Sequence, residues 1–106
     1  PVGASSVNYQ LTSSVKKDDI LLKEAGRLGA DDSKDINNML DVLIREGNPG
    51  LGIRNLGTGG ISYARARDGA RVFFKLDAKN KRITILGYSN KNNEDKVIKR
   101  LQTLYP

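Results

Sequence analysis

Apolar positions recur along this chain with two periods. The spacing is helical between Asp18 and Gly47, alternates by twos between Ile61 and Ser89, and is helical again after Asn93. Ile20, Leu21, Leu22, Ala25 and Leu28 follow the acidic pair Asp18-Asp19. Carboxylates favour the positive end of a helix, so this run predicts a first helix that ends near Gly29. Asp31-Asp32-Ser33 opens a second helix, with Ile36, Met39, Leu40, Leu43 and Ile44 at i, i+3, i+4, i+7 and i+8 on one face. Gly47 suits the position just past its end, and Pro49 prevents continuation. Tyr9 to Thr12 reads as a short strand, and residues 1–8 as the end of a linker. In the last helix Glu94 and Asp95 open the first turn, Lys99 and Arg100 lie towards the end, and Val97, Leu101 and Leu104 form the buried stripe. All three helices read as scaffold.

Three strands lie between the second and third helices. Asp68-Gly69 between two alternating runs is a two-residue hairpin signal. It predicts Arg67 opposite Ala70, Arg65 opposite Val72 and Tyr63 opposite Phe74. A second turn at 78–81 pairs Asp77 with Arg82 and continues to Arg71 opposite Tyr88. Because opposed residues share a face, this register sorts the side chains into two sets. Ile61, Tyr63, Val72, Phe74, Leu76, Ile83 and Ile85 make a core face for the helices to cover. Ser62, Ala64 and Ala66 leave room on the other face, beside Arg71, Lys75, Thr84 and Tyr88 and above Phe73 and Leu86. That arrangement predicts a shallow basic groove able to take an RNA backbone.

Charge strengthens the reading. Residues 1–53 hold six Lys/Arg and eight Asp/Glu, whereas residues 54–106 hold twelve and four, a net of −2 against +8. A basic half of this kind points to an anionic partner, nucleic acid first. Cysteine is absent, which excludes disulfides and thiol chemistry. Histidine is absent too, which argues against a catalytic zinc site; no cofactor and no metal are expected. The acids lie in caps and turns, so glycosidase chemistry is not suggested. No apolar run reaches the roughly 20 residues that span a bilayer, and stable membrane insertion is not expected. At 106 residues the chain reads as one domain.

From Gly47 to Gly60 there are six glycines in fourteen residues. The spacing matches neither a P-loop nor a dinucleotide fingerprint. Either the loop brings backbone N–H groups, Arg54 and the Thr58 hydroxyl to a phosphate, or it is simply a long connection.

Two helices, then Gly-Ala-Arg-Val-Phe-Phe-Lys-Leu-Asp (69–77), Lys-Arg-Ile-Thr-Ile-Leu-Gly-Tyr-Ser-Asn-Lys (81–91) and a closing helix resemble the RelE-like ribonuclease toxins. More broadly the pattern is similar to the superfamily joining barnase, EndoU, the anticodon-cleaving colicins and RelE. The resemblance implies an α+β fold: two N-terminal helices on a small twisted antiparallel sheet, with a C-terminal helix. Arg71 matches the arginine that opens the first strand of the family hairpin, and Lys91 is the nearest match to basic residues after the second. Lys96, Val97 and Ile98 fill the region where such toxins often carry a functional tyrosine, which leaves Tyr88 as its substitute. A start at Pro1 and a linker-like opening also resemble the toxin tip of a contact-dependent or polymorphic bacterial toxin. That resemblance implies delivery from the cell surface as part of a larger protein, action in the target-cell cytoplasm, tRNA as substrate, and an immunity protein as inhibitor.

The chemistry this implies needs no metal. The 2′-OH attacks phosphorus, the dianionic phosphorane is stabilised by fixed cations, and the 5′-oxygen leaves, giving a 2′,3′-cyclic phosphate. Arg71, with Lys75 or Arg54, would clamp the phosphate. Tyr88 or Lys75 would relay a proton if neighbouring cations lower its pKa. Thr58 or Thr84 would bond the 2′-OH or a phosphate oxygen. Arg65, Arg67 and Lys91 complete the expected RNA contacts. Two other readings stay open: an RNA- or ribosome-binding module without catalysis, and a domain whose basic half docks on an acidic protein such as the immunity partner. An activator from the host cell remains a further expected partner.

Overall fold

The computed structural model describes residues 8–47, 53–57 and 59–106. Strand β1 (Gln10–Ser13) leads through a 3-10 turn to helix α1 (Asp19–Ala25) and helix α2 (Ala30–Glu46). Strands β2 (Ile53–Asn55), β3 (Ser62–Arg65), β4 (Arg71–Asp77) and β5 (Arg82–Ser89) follow, and helix α3 (Glu94–Leu104) closes the chain. The five strands form one sheet in the order β1-β5-β4-β3-β2. The expected α+β plan holds, with two helices before the main hairpins and one after. Four strands are antiparallel, and β1 adds in parallel at the β5 edge, with Leu11 beside Ile83. That edge makes the sheet mixed rather than purely antiparallel.

The helix ends follow their local chemistry. Asp18 caps α1 by accepting a hydrogen bond from the Leu21 backbone N–H at 3.0 Å. Gly26 caps the other end, three residues before the expected stop at Gly29. Gly47 terminates α2 at φ +68°, where its N–H reaches the Leu43 carbonyl.

Two details of register differ from the sequence reading. The first hairpin turns over three residues, not two: the Ala66 N–H bonds the Ala70 carbonyl at 2.8 Å, and Gly69 takes φ +103° between them. Arg65 therefore stands opposite Arg71, Ala64 opposite Val72 and Tyr63 opposite Phe73. The second hairpin keeps the expected register from Asp77–Arg82 to Phe74–Ile85. There Leu86 is inserted as a bulge, so Phe73 faces Gly87, Val72 faces Tyr88 and Arg71 faces Ser89. Each one-residue slip moves a strand's side chains to the opposite face.

Both faces of the sheet are covered. Phe73 and Phe74 are successive residues pointing opposite ways, yet both are fully buried. Gly87 marks the α1/α3 face: a Cβ built there would meet Val97 at 3.3 Å, Leu21 at 3.6 Å and Leu101 at 3.9 Å. Helix α2 covers the other face with Ile36, Met39 and Leu43, over Val72, Phe74, Ile83 and Ile85. The small residue Ala64, expected to leave an open strip beside Arg71, is buried with Val72 on the α2 side. The open groove expected on the second face does not form, because the two leading helices take opposite faces.

Candidate functional site

The corrected register gathers cations at one end of the sheet. Arg65, Arg67, Arg71 and Lys91, with Ala66 and Gly69, line a cleft of about 390 Å³. β3 supplies Arg65 and its turn Arg67, β4 opens with Arg71, and Lys91 follows β5. Arg65 and Arg71 are directly opposed, a pairing that like charges disfavour on a sheet.

Arg71 is the anchor. It is buried, its Nε donates to Glu94 Oε2 at 2.7 Å, and Nη1 donates to the Gly69 carbonyl. Glu94 sits in the first turn of α3, so the helix that packs on this face also holds the guanidinium. Across the strand pair, the Ser89 hydroxyl is buried with no hydrogen-bond partner among the described residues. Arg65, Arg67 and Lys91 are exposed around this anchor. Lys91 owes its place to an asparagine turn. The Asn90 carboxamide oxygen accepts from the N–H groups of Asn92 (2.8 Å) and Asn93 (3.2 Å), and Asn93 Oδ1 accepts from Asn90 N–H at 2.8 Å. Asn90 Nδ2 then reaches Asp32 on α2 at 3.1 Å, and Asn93 Nδ2 reaches Glu24 on α1. The turn is thus tied to both leading helices. Gly69 leaves the space that lets Lys91 and Arg71 come close: a Cβ there would lie 3.4 Å from Lys91 Cβ and 3.5 Å from Arg71 Nη1.

The other expected site residues lie elsewhere. Lys75 is four residues along β4 from Arg71, roughly 13 Å away. It shares the Arg71 face, opposite Thr84, and its Nζ stands 4.6 Å from the Tyr105 ring centroid. The Thr84 hydroxyl accepts from Thr12 at 3.5 Å. Arg54 is exposed on the edge strand β2, opposite Tyr63. Tyr88 is turned to the α2 face by the Leu86 bulge, so the expected pairing with Arg71 is corrected. There it lines a pocket with Leu28, Ile36 and Leu40. Burial pushes its phenol above the ordinary range, with a hydrogen bond to Ser13 partly offsetting this; the expected activation by cations would have lowered it. Thr58 lies outside the described residues, as do residues 48–52 of the Gly-rich loop.

Sequence reasoning took Glu94 only as a helix-dipole residue and the asparagines only as turn formers. The run Ser-Asn-Lys-Asn-Asn (89–93) did carry a signal, since asparagines spaced to bond their own backbone hold a turn rigid. Among the described residues no group of three or more acidic side chains is placed to hold a metal ion. No described helix is long and apolar enough to cross a membrane.

No family model matches the sequence, and no curated protein matches it. Solved structures do. A free Escherichia coli RelE carrying two arginine-to-alanine changes aligns with TM-score 0.62 at 15% identity, over 92% of this chain and 96% of that one. The RelBE2 toxin–antitoxin complex of Mycobacterium tuberculosis gives 0.59 at 16% identity, over 79% and 92%. The archaeal RelE–RelB complex of Pyrococcus horikoshii gives 0.53 at 22% identity, over 79% and 96%. The chain has the RelE fold. On this RelE-like scaffold the cationic cleft lies where the β3–β4 turn, the end of β5 and the start of α3 converge.

Proposed function

We propose that this chain is a ribonuclease toxin that cleaves RNA, tRNA foremost, without a metal ion. The observation that carries the reading is the four-cation cleft, with Arg71 fixed by Glu94 beneath three exposed cations. Preorganised cations of this kind suit a phosphate whose charge grows during reaction. The RelE-like fold supports the same reading by analogy.

In this mechanism the RNA phosphate sits among Arg65, Arg67, Arg71 and Lys91, with the 2′-OH held in line. The O2′–P bond forms, the 2′ proton passes to water, and the guanidinium groups stabilise the dianionic phosphorane. The P–O5′ bond then breaks. Arginine keeps its protons at neutral pH, so Lys91 is the group lining the cleft that can protonate the departing 5′-oxygen. The products are a 2′,3′-cyclic phosphate and a 5′-hydroxyl. Lys75, Thr84 and Arg54 contact more distant parts of the same strand, and Thr58 remains a candidate for the 2′-OH. Tyr88 has no part in the chemistry. An acidic immunity protein that covers the cleft would block it, and delivery as part of a larger surface protein would bring it to the target-cell cytoplasm. One observation favours the RNA- or ribosome-binding alternative: the residues lining the cleft are cations, alanine and glycine, with no carboxylate or phenol among them to take the 2′ proton.

Incubation of the purified chain with bacterial RNA in EDTA, read on a denaturing gel, tests the proposal. Fragments ending in 2′,3′-cyclic phosphate, lost in Lys91→Ala, support it. Intact RNA that nevertheless binds with the same Lys91 dependence would replace it with the binding-module reading. Cleavage that returns on adding cell extract would point to a host activator.

A further inference from the structure

Four polar side chains are buried among the described residues: Glu24, Arg71, Ser89 and Asn93. All four converge on one segment, which runs from the end of β5 to the first turn of α3. Ser89 and Asn93 belong to it, Arg71 binds Glu94 within it, and Glu24 reaches it from α1. Lys91 stands in the middle of that segment, exposed.

Glu24 is the buried acid that the mechanism leaves unused. It shares the inward side of α1 with Leu21, three residues earlier. An apolar side chain there would pack without giving up hydration, and a buried ion pair is often no more stabilising than such a replacement. The carboxyl oxygens divide between two partners. Oε1 accepts from Asn93 Nδ2 at 3.2 Å, and Oε2 lies 3.3 Å from Arg27 Nε. Asn93 Nδ2 also donates to the Glu24 carbonyl at 3.1 Å. With Nδ2 held on α1, Asn93 Oδ1 is turned to the Asn90 N–H, 2.8 Å away. Asn90 in turn sets its carboxamide oxygen on the Asn92 and Asn93 N–H groups. Lys91 and Asn92 are all that lies between the two asparagines, so few backbone torsions stay free there. A buried polar network with its bonds made fixes a single arrangement.

We propose that Glu24 is a positioning residue for Lys91: through Asn93 it fixes the 90–93 turn, and the turn holds the ammonium group at the cleft. A proton donor already in place reacts faster than one gathered from several conformers. The catalytic consequence rests on the ribonuclease reading, whereas the fixing of the turn stands apart from it.

Glu24→Leu tests this, because it separates the fold from the turn. It strands no partner: the Arg27 side chain is 51% exposed and turns to water, and Asn93 Nδ2 keeps the Glu24 carbonyl. The variant should melt within a few degrees of wild type. Hydrogen exchange at the Asn90 amide should become roughly tenfold faster. Single-turnover cleavage should fall roughly tenfold, with RNA affinity within about twofold of wild type. Glu24→Gln keeps an oxygen for Asn93 and should hold both readouts near wild type. In a Lys91→Ala background Glu24→Leu should slow cleavage no further, since the two residues act through one group. Rate losses that multiply in the double variant would overturn the proposal. Wild-type exchange at Asn90 in Glu24→Leu would overturn it too, whatever the rates. If the wild-type chain binds RNA without cutting it, the ribonuclease reading falls, and the Asn90 exchange alone decides for or against the fixed turn.

Discussion

Arg71 Nε and Glu94 Oε2 stand 2.7 Å apart, with the Arg71 side chain 5% exposed and that of Glu94 23% exposed. The pair joins the first residue of β4 to the first turn of α3. Removing one partner leaves a charge in a poorly hydrated place. Glu94→Ala is expected to cost about 2 kcal/mol, below the range for a fully buried pair because Glu94 still meets water. Arg71→Lys should recover stability only in part, since one ammonium cannot reach both Glu94 and the Gly69 carbonyl with the guanidinium's geometry. Thermal melts of both variants check this. A Glu94→Ala protein as stable as wild type would mean that the pair contributes nothing net.

Lys91 and Arg65 are exposed and separate from that anchor, so they report on function with little change in stability. Each alanine variant should melt within about 0.5 kcal/mol of wild type. Each should weaken RNA binding and lower the slope of log affinity against log salt by about one. Filter binding from low to high salt measures both. Lys91→Ala should also reduce single-turnover cleavage by about a hundredfold, as expected for a lost general acid.

Tyr88→Phe separates the two placements of the tyrosine. With the phenol on the α2 face, its loss should leave cleavage within about twofold of wild type and change stability by less than about 1 kcal/mol. A large fall in rate at unchanged stability would show that the hydroxyl serves the chemistry after all.

Asp18 ties two ends of the chain together. It caps α1 and pairs with Arg100, whose Nη2 lies 2.6 Å from Oδ1. The Arg100 bonds, foremost among the causes, hold the Asp18 carboxyl below its ordinary 3.8. A depressed carboxylate pKa stabilises the fold fully above the unfolded value, and that stability is lost as pH falls through the folded value. Asp18→Asn keeps a capping oxygen and removes the charge. It should cost about 1 kcal/mol at pH 7, as a partly exposed ion pair would. Wild-type and variant melting temperatures should converge in strong acid, and a constant gap between them at every pH would exclude this linkage.

Gly87 sits beneath two helices. Gly87→Ala places a methyl 3.3 Å from Val97 Cγ1, and should cost about 1–3 kcal/mol through overpacking. Denaturant unfolding gives the value. A neutral substitution would show that α3 shifts freely on the sheet.

Much of this fold was written in periodicity. The face of Ile36, Met39 and Leu43 and the alternation in β4 need only local spacing to be read. What failed were two one-residue decisions. Asp68-Gly69 signals a tight turn, but whether two or three residues make it depends on how Ala66 pairs with Ala70. The Leu86 bulge lets Gly87 meet α1 and α3, a tertiary demand that local alternation does not carry. The site shows the same division. Arg65, Arg67 and Arg71 stand out from charge and position and Lys91 from the family resemblance, yet their convergence depends on the three-residue turn, which brings Arg65 to the Arg71 face.

The parallel pairing of β1 with β5 sets the order of assembly against the order of synthesis. Thr12 is made early, and its neighbour Thr84 comes 72 residues later. Asp18 waits 82 residues for Arg100. Contacts that close such long loops form late in folding. The cleft follows the same timetable, because Arg71 is not held until Glu94 exists. A nascent or truncated chain that stops after β4 has its arginines but not their arrangement, so a competent cleft arises only once nearly the whole sequence is present.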